Sequence, residues 1–152
     1  MLQPVGDTKA AVAAPARADA IATGARTSVL VVEDNPMNQI IAREMVAALG
    51  LRPAVVGSGE EAMLSCQSTP PDLVLMDIQM PGMDGLETTR RLRALQNAGS
   101  LRRFPIIALT AHAMPSDRQA SISAGMDEHL TKPVQLEQLR TVLQRWLGRR
   151  GA

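Results

Sequence analysis

The acidic pair Glu33-Asp34 follows the apolar run Val29 to Val32, and Asp77 follows the apolar run Leu73 to Met76. Thr110 closes the stretch Ile106 to Leu109, and Lys132 follows Glu128 to Thr131. If these runs are strands of one sheet, three carboxylates, a hydroxyl and an ammonium converge on one rim. Carboxylates crowded in this way repel one another, and a hard divalent cation relieves the repulsion. With few protein oxygens and room for water, Mg²⁺ is the natural occupant. A cation, an ammonium and a hydroxyl together are also what the oxygens of a phosphoryl group require.

Taken singly, each residue has an ordinary reading. Asp34 and Asp77 serve as caps of the turns that follow them. Thr110 reads as a satisfied strand-end hydroxyl, and Lys132 before Pro133 as a solvated lysine. Four such residues on successive strand ends make a poor set of coincidences. The lysine adds weight, because the chain uses arginine for nearly all its basic positions and holds only Lys9 and Lys132.

The elements that must position these groups are legible in the pattern. Asn35-Pro36 supplies an N-cap and a first-turn proline, and Met37, Ile41, Met45 and Ala48 recur at helical spacing up to Gly50. Ala54 to Val56 is a short second strand, and Ser58 with Glu61 forms a capping box for a helix through Cys66. Pro81 to Gly85 is a loop, and Leu86 to about Gln96 is a third helix. Ser116 with Gln119 reads as a second capping box, on a helix that Gly125 ends. The last helix places Leu136, Leu139, Leu143 and Trp146 on one face, with Arg140, Arg145 and Arg149 largely off it. Five strands alternating with five helices imply a doubly wound α/β fold with a parallel sheet and right-handed crossovers. Ligands of such sheets bind at the carboxyl ends of the strands.

The first residues differ in character. Met1 to Arg26 holds nine alanines and no sustained period, so residues 1–27 read as a linker and 28–150 as one domain. The whole chain has 152 residues, 45% of them apolar, and a formal charge of +1. That balance gives no general attraction to nucleic acid or anionic membranes. With Phe104 and Trp146 as the only aromatic residues, a base-stacking platform is excluded. No apolar run reaches the ~18 residues of a membrane span, and no export signal is visible. The lone Cys66 fits a reducing compartment and a packing role. These features predict a cytoplasmic protein.

The ordered set Glu33-Asp34, Asp77 with Pro81 and Gly85, Thr110, and Lys132-Pro133 resembles the receiver domain of two-component signalling, from about Ser28 to Leu147. The resemblance implies a flavodoxin-like five-stranded sheet in the order 2-1-3-4-5. It implies that Asp77 takes a phosphoryl group from the phosphohistidine of a histidine kinase, with Thr110 and Lys132 as catalytic partners. Such a domain promotes its own phosphorylation and dephosphorylation. Mg²⁺ is then held by Asp34 and Asp77, by Glu33 through water, and by the backbone carbonyl of Gln79. Thr110 and His129 become the switch, His129 standing where many receivers carry Tyr or Phe. Gln79 and His112 take positions that tune acyl-phosphate lifetime, and Pro133 is expected to follow a cis peptide bond.

The wording Asn35-Pro36-Met37-Asn38, Met76 to Gly85, and Leu109 to Ala113 is similar to receivers of hybrid sensor kinases. That similarity implies a histidine phosphotransfer domain as the next partner and tethering at the inner membrane through a larger kinase. A different class of function is a regulated protein-binding module, which grips an effector through its helix 4–strand 5–helix 5 face or its first helix. A phosphatase of the haloacid dehalogenase type needs a second aspartate where this chain has Gln79. Walker, dinucleotide-binding and nucleophile-elbow motifs are absent.

Overall fold

The computed structural model describes residues 27–111 and 114–151; the Ala/Pro-rich segment before Thr27 lies outside them. The strands are β1 (Ser28–Val32), β2 (Arg52–Val56), β3 (Leu73–Asp77), β4 (Ile106–Thr110) and β5 (Glu128–Thr131). The helices are α1 (Pro36–Ala48), α2 (Gly59–Ser68), α3 (Gly85–Asn97), α4 (Pro115–Ala124) and α5 (Leu136–Gly151). All strand pairs are parallel, as the alternation of elements predicts, and they stand in the order β2-β1-β3-β4-β5 that the resemblance implies.

The period-2 alternation of the strands builds two cores. Val29, Val31, Leu73 and Leu75 pack beneath Val46 of α1, Leu49 at its C-cap, and Leu139, Leu143 and Leu147 of α5. Leu30, Val32, Val74 and Met76 face Ala62 and Cys66 of α2 and Leu92 of α3, with Phe104 filling the same layer. Each fully buried aliphatic or aromatic side chain contributes about 1.5–3 kcal/mol. Strands covered on both faces explain why the runs are continuously apolar. Burial pushes the Cys66 thiol up to about 12, as suits a packing residue.

Three local expectations are corrected. Met37 and Ile41 do not pack inward: they are 65% and 47% exposed, and Ile40 beside them is 53% exposed. The buried side of α1 is instead formed by Val46, with Ala42 and Met45 against the core and Leu49 buried at the C-cap. Ser116 is not an N-cap; Met114 holds that position without a side-chain bond, and Pro115 starts α4. A proline fixed at helical φ starts the helix two residues earlier than a Ser116 cap would. At α2, Ser58 Oγ accepts the Glu61 N–H at 3.1 Å, but Glu61 Oε1 accepts from Gly57 rather than from Ser58.

Arg93 of α3 ties the far end of the sheet together. Its guanidinium donates to the carbonyls of Gly125 and Phe104, each at 2.8 Å, and to Asp127 Oδ2 at 2.7 Å. Asp127 Oδ2 also accepts the Ile106 N–H at 2.8 Å, which fixes the start of β4. Gly125 ends α4 at φ 108°, and a Cβ there would stand 2.8 Å from Arg93 Cγ. Both the turn and the arginine require glycine at this point.

Candidate functional site

The site grows from the loops that leave β1, β3 and β5. Glu33 is held by its backbone: its N–H donates to Val56 O at 3.1 Å, and its carbonyl accepts from Gln39 Nε2 at 2.7 Å. Asn35 caps α1, its Oδ1 accepting the N–H groups of Met37 and Asn38 at 2.9 and 3.2 Å. Asp77 ends the most central buried strand. Lys132 follows β5, its N–H donating to Thr110 O at 2.7 Å, and the Lys132–Pro133 bond is cis as expected.

These loops enclose a cleft of about 360 Å³ lined by Glu33, Asp34, Asn38, Asp77, Gln79 and Lys132, among others. Glu33 and Asp77 are 2% and 4% exposed, whereas Asp34 faces solvent. Lys132 Nζ lies 2.9 Å from Glu33 Oε1 and 3.3 Å from Asp77 Oδ1. Burial pushes Asp77 up to about 6, and the neighbouring Glu33 charge adds to this while Lys132 opposes it. Burial also acts to raise Glu33, but the Lys132 bond and the Asn35 N–H overcome it and hold Glu33 low. Lys132 is pulled the other way: burial disfavours its charge, yet the Glu33 bond and Asp77 raise its pKa. Two buried carboxylates therefore share one ammonium, with the uncompensated strain falling on Asp77.

One oxygen from each of Glu33, Asp34 and Asp77 lies within 4.8 Å of the others. Three hard carboxylates at an open cleft suit a hard divalent cation that keeps part of its water, and such an ion would relieve the repulsion that raises Asp77. The donor set fits Mg²⁺.

Among the residues singled out from sequence, Glu33, Asp34, Asp77, Gln79 and Lys132 meet in this cleft. Thr110 is buried at the end of β4, directly before Ala111, which lines the cleft. His129 stands away from it, pairing in register with Ala108 and accepting a 3.2 Å bond at Nε2 from Arg118 Nε of α4. His112 lies outside the described residues. Sequence reasoning missed Gln39, Asn38 and Arg118; the one signal was the run of three carboxamides at Asn35, Asn38 and Gln39.

A parallel 2-1-3-4-5 sheet with three carboxylates and a lysine at its carboxyl rim defines a phosphoryl-accepting signalling domain. The chain belongs to the response regulator receiver domain family, which it matches over residues 29–144. It is 41% identical over 120 residues to the sensor histidine kinase GacS of Pseudomonas protegens, covering 79% of this chain. The chain spans only 13% of the length of that kinase. Among solved structures it is similar to the receiver domain of sensor histidine kinase PA1611 of Pseudomonas aeruginosa, which has a magnesium ion in its active-site cleft. That likeness has a TM-score of 0.73 and 42% identity, covering 81% of this chain and 98% of the other. It is also similar, at TM-score 0.79 and 27% identity, to a chain from the Saccharomyces cerevisiae complex of the histidine phosphotransfer protein Ypd1 with the Ssk1 receiver domain. There the coverage is 84% of this chain and 92% of the other. Among the described residues, no helix is long and apolar enough to cross a membrane.

Proposed function

We propose that this domain, spanning 28–150 and joined through 1–27 to a larger hybrid sensor kinase, takes a phosphoryl group from phosphohistidine onto Asp77. The observation that carries this reading is the placement of Lys132 Nζ against both Glu33 and Asp77 at the rim of the sheet. Asp77 supplies the attacking carboxylate, Lys132 neutralises phosphoryl oxygens, and the Thr110 hydroxyl turns toward the new acyl phosphate. Asp34, Asp77 and the Gln79 carbonyl hold Mg²⁺, with Glu33 acting through water. When bound, Mg²⁺ offsets the charge that accumulates on the phosphoryl oxygens. Gln79 and His112 tune the lifetime of the acyl phosphate. His129 passes the Thr110 movement to α4 through its bond with Arg118.

The next partner is a histidine phosphotransfer domain, as in the Ypd1 complex. Met37, Ile40 and Ile41 give it an apolar landing face on the helix that begins at the cleft. The whole protein works at the cytoplasmic side of a bacterial inner membrane. The test is intact-mass and amide-exchange analysis with acetyl phosphate or beryllofluoride and Mg²⁺. A Mg²⁺-dependent adduct that disappears in Asp77→Asn, with changed exchange around Thr110 and α4, is expected. An equal adduct in the variant would refute Asp77 as acceptor.

A further inference from the structure

Three carboxamides stand at the start of α1, and the fold uses two of them. Asn35 caps the helix, and Gln39 Nε2 holds the Glu33 carbonyl at 2.7 Å. Asn38 is half-buried, and among the described residues its carboxamide is paired with no other group. It lines the polar cleft beside Asp77 and Lys132. It also lines an adjoining apolar cleft of about 340 Å³, bounded by Leu75, Leu109, Ile41 and Pro133. Asn38 thus stands between the acceptor and the exposed apolar face of α1. Among the described residues no buried side-chain nitrogen or oxygen lacks a partner, so the Asn38 carboxamide is open to solvent and free to bond a group that enters the cleft.

In-line displacement places the leaving group opposite the attacking oxygen. Asp77 is buried at the inner end of the cleft, so the leaving group sits toward its mouth, where the first turn of α1 forms one wall. We infer that the Asn38 carboxamide hydrogen-bonds the imidazole of the phosphohistidine donor as the phosphoryl group passes to Asp77. The inference rests on the phosphoacceptor reading and extends it to the leaving group. An Asp77 carboxylate oxygen forms the bond to phosphorus while the P–N bond breaks, and its electron pair stays on the ring nitrogen. The ring arrives protonated at its other nitrogen and leaves as neutral imidazole, so no further proton is exchanged. Asn38 Oδ1 accepts that N–H before and after transfer. A carboxylate here would add a fourth negative charge to the cluster, and a lysine would repel the protonated ring; a neutral amide does neither.

The test compares two small donors, N-phosphoimidazole and acetyl phosphate, on the whole chain with Mg²⁺, by the rate of the intact-mass adduct. Acetyl phosphate releases acetate, which offers no N–H. In Asn38→Leu, labelling by phosphoimidazole is expected to fall about tenfold, the loss of one charge-assisted hydrogen bond, while labelling by acetyl phosphate stays nearly constant. Asn38→Gln, which keeps the acceptor, is expected to recover part of the preference. Equal losses with both donors would make Asn38 merely structural, and no change with either would remove the contact; each overturns the inference. Wild-type protein labelled by neither donor would overturn the phosphoacceptor reading instead, which separates the two failures.

Discussion

Gly85 touches the backbone of the phosphoacceptor so closely that a Cβ on it would stand 2.2 Å from Asp77 O and 2.8 Å from Ile78 Cα. The Gly85 N–H donates to Ile78 O at 2.9 Å, so α3 begins directly against the loop that carries Asp77. Gly85→Ala is therefore expected to push that loop outward. It should cost about 1–3 kcal/mol of stability as an overpacked contact. Urea unfolding checks the first effect, and calorimetric Mg²⁺ titration should show weakened binding. Unchanged values in both would show that the loop yields freely.

The raised Asp77 pKa makes the ion-free protein sensitive to pH. A carboxyl that holds its proton more tightly when folded gives stability that is fully present below about 3.8 and is lost as pH rises through about 6. In EDTA at pH 7.5, Asp77→Asn should therefore be more stable than the wild type by about 1–2 kcal/mol, and the gap should close by pH 4. Glu33, held low chiefly by Lys132 and Asn35, contributes in the opposite direction, and Asp77 is the last of the groups acting on it. Thermal melts of the pair across pH 4–8 provide the measurement; a pH-independent gap would contradict the assignment of repulsion to Asp77.

Lys132→Met keeps most of the side-chain volume but removes the ammonium that Glu33 and Asp77 share. Because Glu33 is almost fully buried and Lys132 only partly so, the expected loss is about 2 kcal/mol in the ion-free state. Added Mg²⁺ should restore part of that loss by binding the same carboxylates, whereas labelling by acetyl phosphate should stay low. Full labelling in the variant would remove Lys132 from the reaction.

The exposed face of α1 predicts a defect confined to protein partners. Ile41→Asp changes a side chain that is 47% exposed, so stability should move by less than about 0.5 kcal/mol. Transfer from a phosphorylated histidine phosphotransfer protein should slow about tenfold, as for loss of a central apolar contact. Labelling by acetyl phosphate should be unaffected. Equal transfer rates in mutant and wild type would assign this face to something other than the relay.

The carboxyl ends of the strands and the ordered acidic, hydroxyl and lysine positions were determined by the sequence, because each depends on local pattern, whereas β2 starts at Arg52, two residues before its apolar run. A short apolar run can only be a buried strand here, and a carboxylate after it can only fall at the sheet rim. The parallel sheet followed from the alternation of strands and helices, and its order from the resemblance to receivers. Which side of α1 is buried did not follow, because Met37, Ile40 and Ile41 are apolar all the same, and only packing against β1 and α5 selects Val46 and Leu49. The start of α4 was misjudged for a similar reason, since a local serine signal competed with a proline one residue earlier. Nothing in the sequence marks Arg93, because its partners Phe104, Gly125 and Asp127 are brought to it only by the fold. The charge state of the site was likewise decided only in three dimensions. Residue types say that Glu33, Asp77 and Lys132 are ionisable, but burial and separations near 3 Å make Asp77 the carboxyl whose proton affinity is raised. Electrostatic energy depends on distance and solvent access, and neither is written along the chain.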